Sequence, residues 1–245
     1  MTFPIDEKLK IGIQTIHREP DDQNGPWLPK IDELVDFVQL IDKSGFDSLW
    51  VGDHLSMPLP FFDPFQQLAQ AAVASRRLLL GTSVYLLPLR HPGPVAKQAI
   101  TLDHLSEGRL LFGVGIGGEF PKEYEVAGVP MNERGARLSE SIEVMRELWS
   151  GEPASYTGKF FKFSEVLMTP PPRQEGGPPI WCGGRKEAAF KRMGRLADGY
   201  VSYVVTPEMY RDALVKIEQA ANEENRKLNN FGTGHLIFTR VDDNY

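Results

Sequence analysis

Short apolar runs recur along the chain, and stretches of helical period separate them. The first run, 9–16, reads LKIGIQTI. Behind it, 31–45 places Leu34, Val38 and Ile41 on one face and stops at Gly45, the pattern of an amphipathic helix closed by a glycine. Apolar runs at 47–55, 78–88 and 109–118 alternate with helical stretches at 65–76 and 95–106. Pro92 and Pro94 precede or open the second of these, where proline suits a first helical turn. The strongest helical pattern is 133–151, with Leu138, Ile142, Met145 and Trp149 at helical spacing. Segment 155–166 alternates around Gly158 like a β-hairpin. Segment 169–179 is a Pro- and Gly-rich loop, and because the alternation resumes unchanged after it, it reads as a loop within one domain. A strand at 179–184, a helix at about 186–196, a strand at 198–205, a helix opened by Thr206 and Pro207, and a strand at 235–241 follow.

Strands alternating with helices predict parallel βαβ units. Seven such strands fit a β/α barrel, a fold of roughly 250 residues, better than an open sheet. The expected class is therefore α/β, a TIM-type (β/α)8 barrel in one domain over 1–245, truncated after its seventh strand. The competing architecture is an open doubly wound sheet. Gly113, Gly115 and Gly118 even supply the spacing of a dinucleotide fingerprint. That fingerprint belongs after a first strand, with an acid about 20 residues on at the next strand end. Here it follows the fourth strand, and the region near 135–140 is helical, so it carries no weight.

Composition narrows the function classes. Lys plus Arg number 27 against 33 Asp plus Glu, a net charge of −6, which lacks the basic footprint a nucleic-acid binder needs. No run approaches the roughly 18 apolar residues of a membrane span, and the N-terminal segment lacks a signal-peptide pattern. A lone cysteine, Cys182, makes no intrachain disulfide and points to a reducing, cytoplasmic setting. The sequence contains no HExxH, P-loop or G-x-S-x-G, so no metal site is expected and hydrolytic and phosphoryl-transfer classes lack support.

In a parallel barrel the chemistry sits at the strand C-termini. That places Gln14, Asp53, His54, Ser83, Val84, the Gly115–Glu119 turn, Gly183 and Gly184 at one rim. Of five histidines, His54 alone stands at a strand end beside a carboxylate, where an imidazole can move a proton near neutral pH. Gly183, Gly184 and Arg185 lead into a helix whose free N–H groups suit an anion, most naturally a phosphate. Glu119 and Glu123 follow the glycine-rich turn, where they can bond hydroxyls or a base, or simply tie the next segment. His91 lies in a loop within reach of a ligand, 61–65 (FFDPF) can wall an apolar pocket, and Trp50, Phe112 and Cys182 read as core.

The segments GFDSLWVGDH (45–54), LLLGTSVYLLPLRHP (78–92), LSEGRLLFGVGIGGEFPKEYEVAGVP (105–130), ERGARLSESIEVMRELWSG (133–151), YTGKFFKF (156–163) and PPIWCGG with ADGYV (178–201) resemble, in order and spacing, the bacterial-luciferase-like family of flavin- or deazaflavin-dependent oxidoreductases. The resemblance implies a tricyclic cofactor across the barrel mouth and a cis peptide at Ser83–Val84 beneath it. It also implies that the Gly183–Gly184 turn holds the cofactor phosphate, that His54 of the Asp53–His54 pair sits beside the reactive ring, and that Glu123 is the family's acid before an aromatic. Glu119 lies near an acid used by some deazaflavin enzymes. Ile116 stands where some flavin members carry a phosphate-binding arginine, which favours coenzyme F420 over FMN. The expected activity is hydride exchange between F420 and a small organic substrate. The alternatives are an FMN monooxygenase fed by a partner reductase and a cofactor-binding barrel without turnover. A homodimer is the expected assembly.

Overall fold

The computed structural model describes residues 9–14, 31–58 and 61–239. His17 and the end of the first predicted strand, 15–16, lie outside the described residues, as do 240–245, which hold the end of the last predicted strand, 235–241. The elements run β1 (Gly12–Gln14), α1 (Ile31–Lys43), β2 (Ser48–Val51), α2 (Pro64–Ala74), β3 (Leu79–Thr82), α3 (Pro92–Leu105), β4 (Leu110–Val114), α4 (Pro121–Val126) and α5 (Arg134–Leu148). Then come the hairpin strands β5 (Ala154–Thr157) and β6 (Lys162–Val166), followed by β7 (Ile180–Gly183), α6 (Glu187–Leu196), β8 (Gly199–Tyr203), α7 (Pro207–Glu223) and β9 (Gly232–Leu236).

Seven strands form one sheet in the order β1-β2-β3-β4-β7-β8-β9, and every pairing in it is parallel. A doubly wound sheet reverses strand order at a switch point. Here each strand joins the next along the chain, so the sheet winds in one sense, as a barrel does. Among the described residues, β1 pairs with β2 alone and β9 with β8 alone.

Local chemistry sets the element ends. Gly45, at φ +83°, ends the α1 segment in the left-handed region where glycine is favoured. Asp63 opens α2 by accepting from the amides of Phe65 and Gln66, with Pro64 in the first turn. Thr206 opens α7 by accepting from the Met209 amide. The outer faces of the strands bury Leu49, Leu80, Leu110, Phe112 and Ile180 in one cluster with Leu68, Ala99, Ile100, Leu138, Ile142 and Met145 from the helices.

The inner face is filled differently. Trp50 and Trp181 meet there with ring centroids 5.6 Å apart. A Cβ on Gly81 would stand 2.2 Å from Trp50, and one on Gly232 2.1 Å from Trp181. The two indoles occupy space that the bare glycines leave, so this part of the barrel is packed.

Three boundaries differ from the pattern reading. The last strand is Gly232–Leu236, not 235–241, because Gly232 and Gly234 accommodate the Trp181 ring where a side chain would collide. A short helix, α4, forms inside what reads as a turn, opened by Pro121. The run 78–88 is strand only to Thr82, after which the chain crosses the rim.

Candidate active site

The C-terminal ends of all seven sheet strands line one cleft of about 290 Å³. Small-molecule sites span roughly 300–1,000 Å³, so this lies at the lower edge of that range. Gln14 comes from β1, Gly52 to His54 from β2, Ser83 and Val84 from β3, Gly115 to Glu119 from β4, Gly183 and Gly184 from β7, Val201 to Tyr203 from β8, and Leu236 and Phe238 from β9.

The floor is built around Val84. The Ser83–Val84 peptide is cis, as the resemblance implies. The Ser83 amide donates to Val51 O at 2.8 Å, and Ser83 O accepts from Gln14 Nε2 at 3.3 Å. Glycine flanks the valine on both sides. A Cβ on Gly115 would lie 2.4 Å from Val84 Cγ2, and one on Gly183 3.1 Å from Val84 Cγ1. Gly117 and Gly118 then carry the chain off β4 at φ +58° and +112°, a pair of values that favours glycine.

One wall is polar and buried. Glu123, 1% exposed, sits in the first turn of α4 and reaches back to the loop after β2. Its Oε1 accepts from the Leu55 amide at 2.7 Å and the Ser56 amide at 3.3 Å, and lies 3.1 Å from His54 Nδ1. Its Oε2 is buried with no hydrogen-bond partner among the described residues. The His54 side chain keeps 22% exposure and lines the cleft. Phe61 and Phe120 hold its ring edge-to-face at 4.9 and 5.3 Å, so two aromatic contacts and one hydrogen bond set its orientation.

Asp53 has a different place from its neighbour. Its Oδ2 accepts from the Leu86 amide at 2.8 Å and Arg90 Nη1 at 2.5 Å, and its Oδ1 from Arg90 Nη2 at 2.9 Å. Arg90 lies over the Tyr85 ring at 4.3 Å. Burial works against the Arg90 charge, but the hydrogen bond and charge of Asp53 outweigh it and raise the guanidinium pKa. Asp53 thus ties the segment after β3 to the end of β2.

The mouth is crossed by Tyr203, whose hydroxyl donates to Glu119 Oε1 at 2.8 Å. Burial, and then the Glu119 acceptor, raise the Tyr203 pKa. The Arg185 guanidinium sits 4.7 Å over the Tyr203 ring and is exposed; it is not among the residues lining the cleft. His91 is exposed and caps α3 by accepting from the Gly93 amide. Of 61–65, Phe61 lines the cleft, Asp63 caps α2 and Phe65 packs in the core against Tyr85. Cys182 is buried, and burial pushes its thiol up to about 12. Sequence reasoning missed Tyr203, to which the strand-end rule applied at 198–205 points, and Arg90, Phe120, Leu236 and Phe238, which nothing local marks.

The residues present fit a flat ring laid against Val84: Gly115 and Gly183 put no side chain beside it, where a Cβ would stand 2.4 and 3.1 Å from its methyl groups, whereas a Cβ on Gly184 would meet Ala189 and Met193 instead. No lysine or arginine is among the described lining residues.

The profile described as luciferase-like monooxygenase matches residues 9–245. The oxygenase component of a flavin-dependent trigonelline monooxygenase from Acinetobacter baylyi is 33% identical over 156 residues, which are 63% of this chain and 43% of that protein. An F420-dependent glucose-6-phosphate dehydrogenase from Microbacterium testaceum is 32% identical over 219 residues, 84% of this chain and 62% of that one. The chain therefore spans less than two thirds of the length of either relative. The crystal structure of a monooxygenase from Streptomyces bottropensis superposes with a TM-score of 0.77 at 27% identity, covering 89% of this chain and 68% of that one.

Proposed function

The chain belongs to the luciferase-like monooxygenase family, and on that premise we propose that it is a redox enzyme that binds coenzyme F420 in the cleft and uses His54 to move the proton coupled to hydride transfer. The observation that carries this reading is the convergence of seven strand ends on one cleft with a glycine-flanked floor on one side and His54 on the other. A bound deazaflavin supplies a hydride acceptor or donor. Val84, Gly115 and Gly183 would support its ring, and the turn at Gly183–Gly184 before α6 would take its phosphate. Phe61 and Phe120 shield the imidazole from water on two sides. His54 takes the proton of a substrate hydroxyl in one direction and returns it to a carbonyl oxygen in the other. The dehydrogenase relative and Ile116 favour F420; the trigonelline relative makes FMN-dependent oxygenation, with electrons from a partner reductase, the competing outcome.

Titration of the protein with F420 and with FMN, followed by fluorescence, tests the reading. Saturable F420 binding in preference to FMN is expected. Binding of FMN alone transfers the assignment to the oxygenase class, and binding of neither removes it. His54→Ala is expected to leave cofactor affinity within a few-fold and to lower turnover by roughly 10²–10⁴; unchanged turnover rejects the role given to His54.

A further inference from the structure

The geometry assigns Glu123 a role the sequence did not disclose: it is the positioning residue that fixes His54 as the tautomer protonated on Nδ1, leaving Nε2 bare toward the cleft. A carboxylate has acceptors only. Glu123 Oε1 faces three nitrogens, the amides of Leu55 and Ser56 and His54 Nδ1 at 3.1 Å. The two amides have fixed hydrogens and can only donate. If Nδ1 carried its lone pair instead of a proton, that lone pair would confront the carboxylate oxygen in a site where Glu123 is 1% exposed. A proton on Nδ1 turns the same contact into a third donation. Which ring nitrogen of a histidine is protonated follows from the bond the other makes. No described residue bonds Nε2, so its lone pair is what the neutral ring offers.

The same contacts fix where the ring sits. Oε1 pins the loop after β2 to α4 through two backbone amides, so the loop that carries the imidazole is tied to the helix that carries its partner. Glu123 Oε1 is thereby used up within the protein. Oε2, buried and without a partner among the described residues, is the one acceptor left on the group. Glu123 thus acts through His54 by way of Oε1. This inference rests on the proposed function only for what Nε2 does; the tautomer stands on the contacts alone.

Long-range 15N–1H correlation spectra of the protein labelled at the histidine ring nitrogens report the tautomer directly, with no cofactor or substrate present. His54→Gln identifies the His54 signals among the five histidines. At a pH where the ring is neutral, the unmodified protein is expected to show His54 protonated on Nδ1. Glu123→Gln keeps an amide oxygen for the three donors and is expected to retain that pattern. Glu123→Leu removes the acceptor and is expected to move the population to the form protonated on Nε2. Protonation on Nε2 in the unmodified protein overturns the inference, as does a Glu123→Leu spectrum that stays unchanged. Should Glu123→Leu fail to fold, the unmodified spectrum decides by itself. Loss of F420 binding with the expected spectra would sink the proposed function and leave the tautomer assignment standing.

Discussion

Asp53→Asn separates two meanings of the Asp–His pair at the end of β2. The replacement keeps the shape of Asp53 and removes its charge. Both carboxylate oxygens are committed, to the Leu86 amide and to both Arg90 nitrogens. In the variant one oxygen still accepts, but the new amide nitrogen faces a guanidinium that also only donates. Arg90, 17% exposed, keeps Asp63 at 3.9 Å as its remaining acid. Breaking a buried pair on one side costs about 3–5 kcal/mol, and the residual exposure and Asp63 put this case near the lower end, about 3 kcal/mol. For a chain of this size that is a fall in Tm of roughly 6–12 °C. Thermal unfolding followed by circular dichroism, with a urea series to show an unchanged m, measures it. Because both Asp53 oxygens are engaged within the protein, F420 affinity should change by no more than about threefold, or some 0.7 kcal/mol. An unchanged Tm together with a large loss of affinity would refute the reasoning and make Asp53 a direct cofactor ligand.

Other substitutions probe the floor, the core and the charge pairs. Gly183→Val puts an isopropyl group against Val84 Cγ1, which already lies 3.1 Å from where a Cβ would sit; an overpacking cost of about 1–3 kcal/mol that falls on the cleft predicts at least about a fivefold loss of F420 affinity by fluorescence titration. Cys182, with its thiol pushed up to about 12 by burial, should not react with a disulfide reagent at pH 8 until the protein is unfolded; stoichiometric labelling of the folded protein would contradict its place in the core. The Ser75 hydroxyl, 2.5 Å from Asp42, is the main reason that carboxyl titrates below its usual 3.8, with Arg77 adding to it. A folded value below the unfolded one means the contribution is complete above the unfolded value and is lost as pH falls through the folded value. The stability gap between the unmodified protein and Asp42→Asn should therefore be widest near neutral pH and close in acid. Urea midpoints at several pH values measure it, and a gap independent of pH would reject the linkage.

The period of the apolar residues was enough to find the seven sheet strands and most of the helices, because each element's burial pattern is written locally in its own spacing. Strand ends follow from strand positions, so Gln14, His54, Ser83, Gly115 and Gly183 were legible as rim residues before any contact was known. What the sequence left open is what depends on residues far apart in the chain. Glu123 reaches His54 across 69 positions, and Arg90 reaches Asp53 across 37. Either acid can bind a cofactor, cap a loop or orient a neighbour by its residue type alone; the packing of α4 against the loop after β2 decides for Glu123, and that of the segment after β3 against the end of β2 decides for Asp53. Gly232 and Gly234 likewise look like poor strand residues until the Trp181 ring lies over them. Local spacing fixes which face of an element is buried; a side chain's partner is chosen by three-dimensional neighbours that no window of sequence contains.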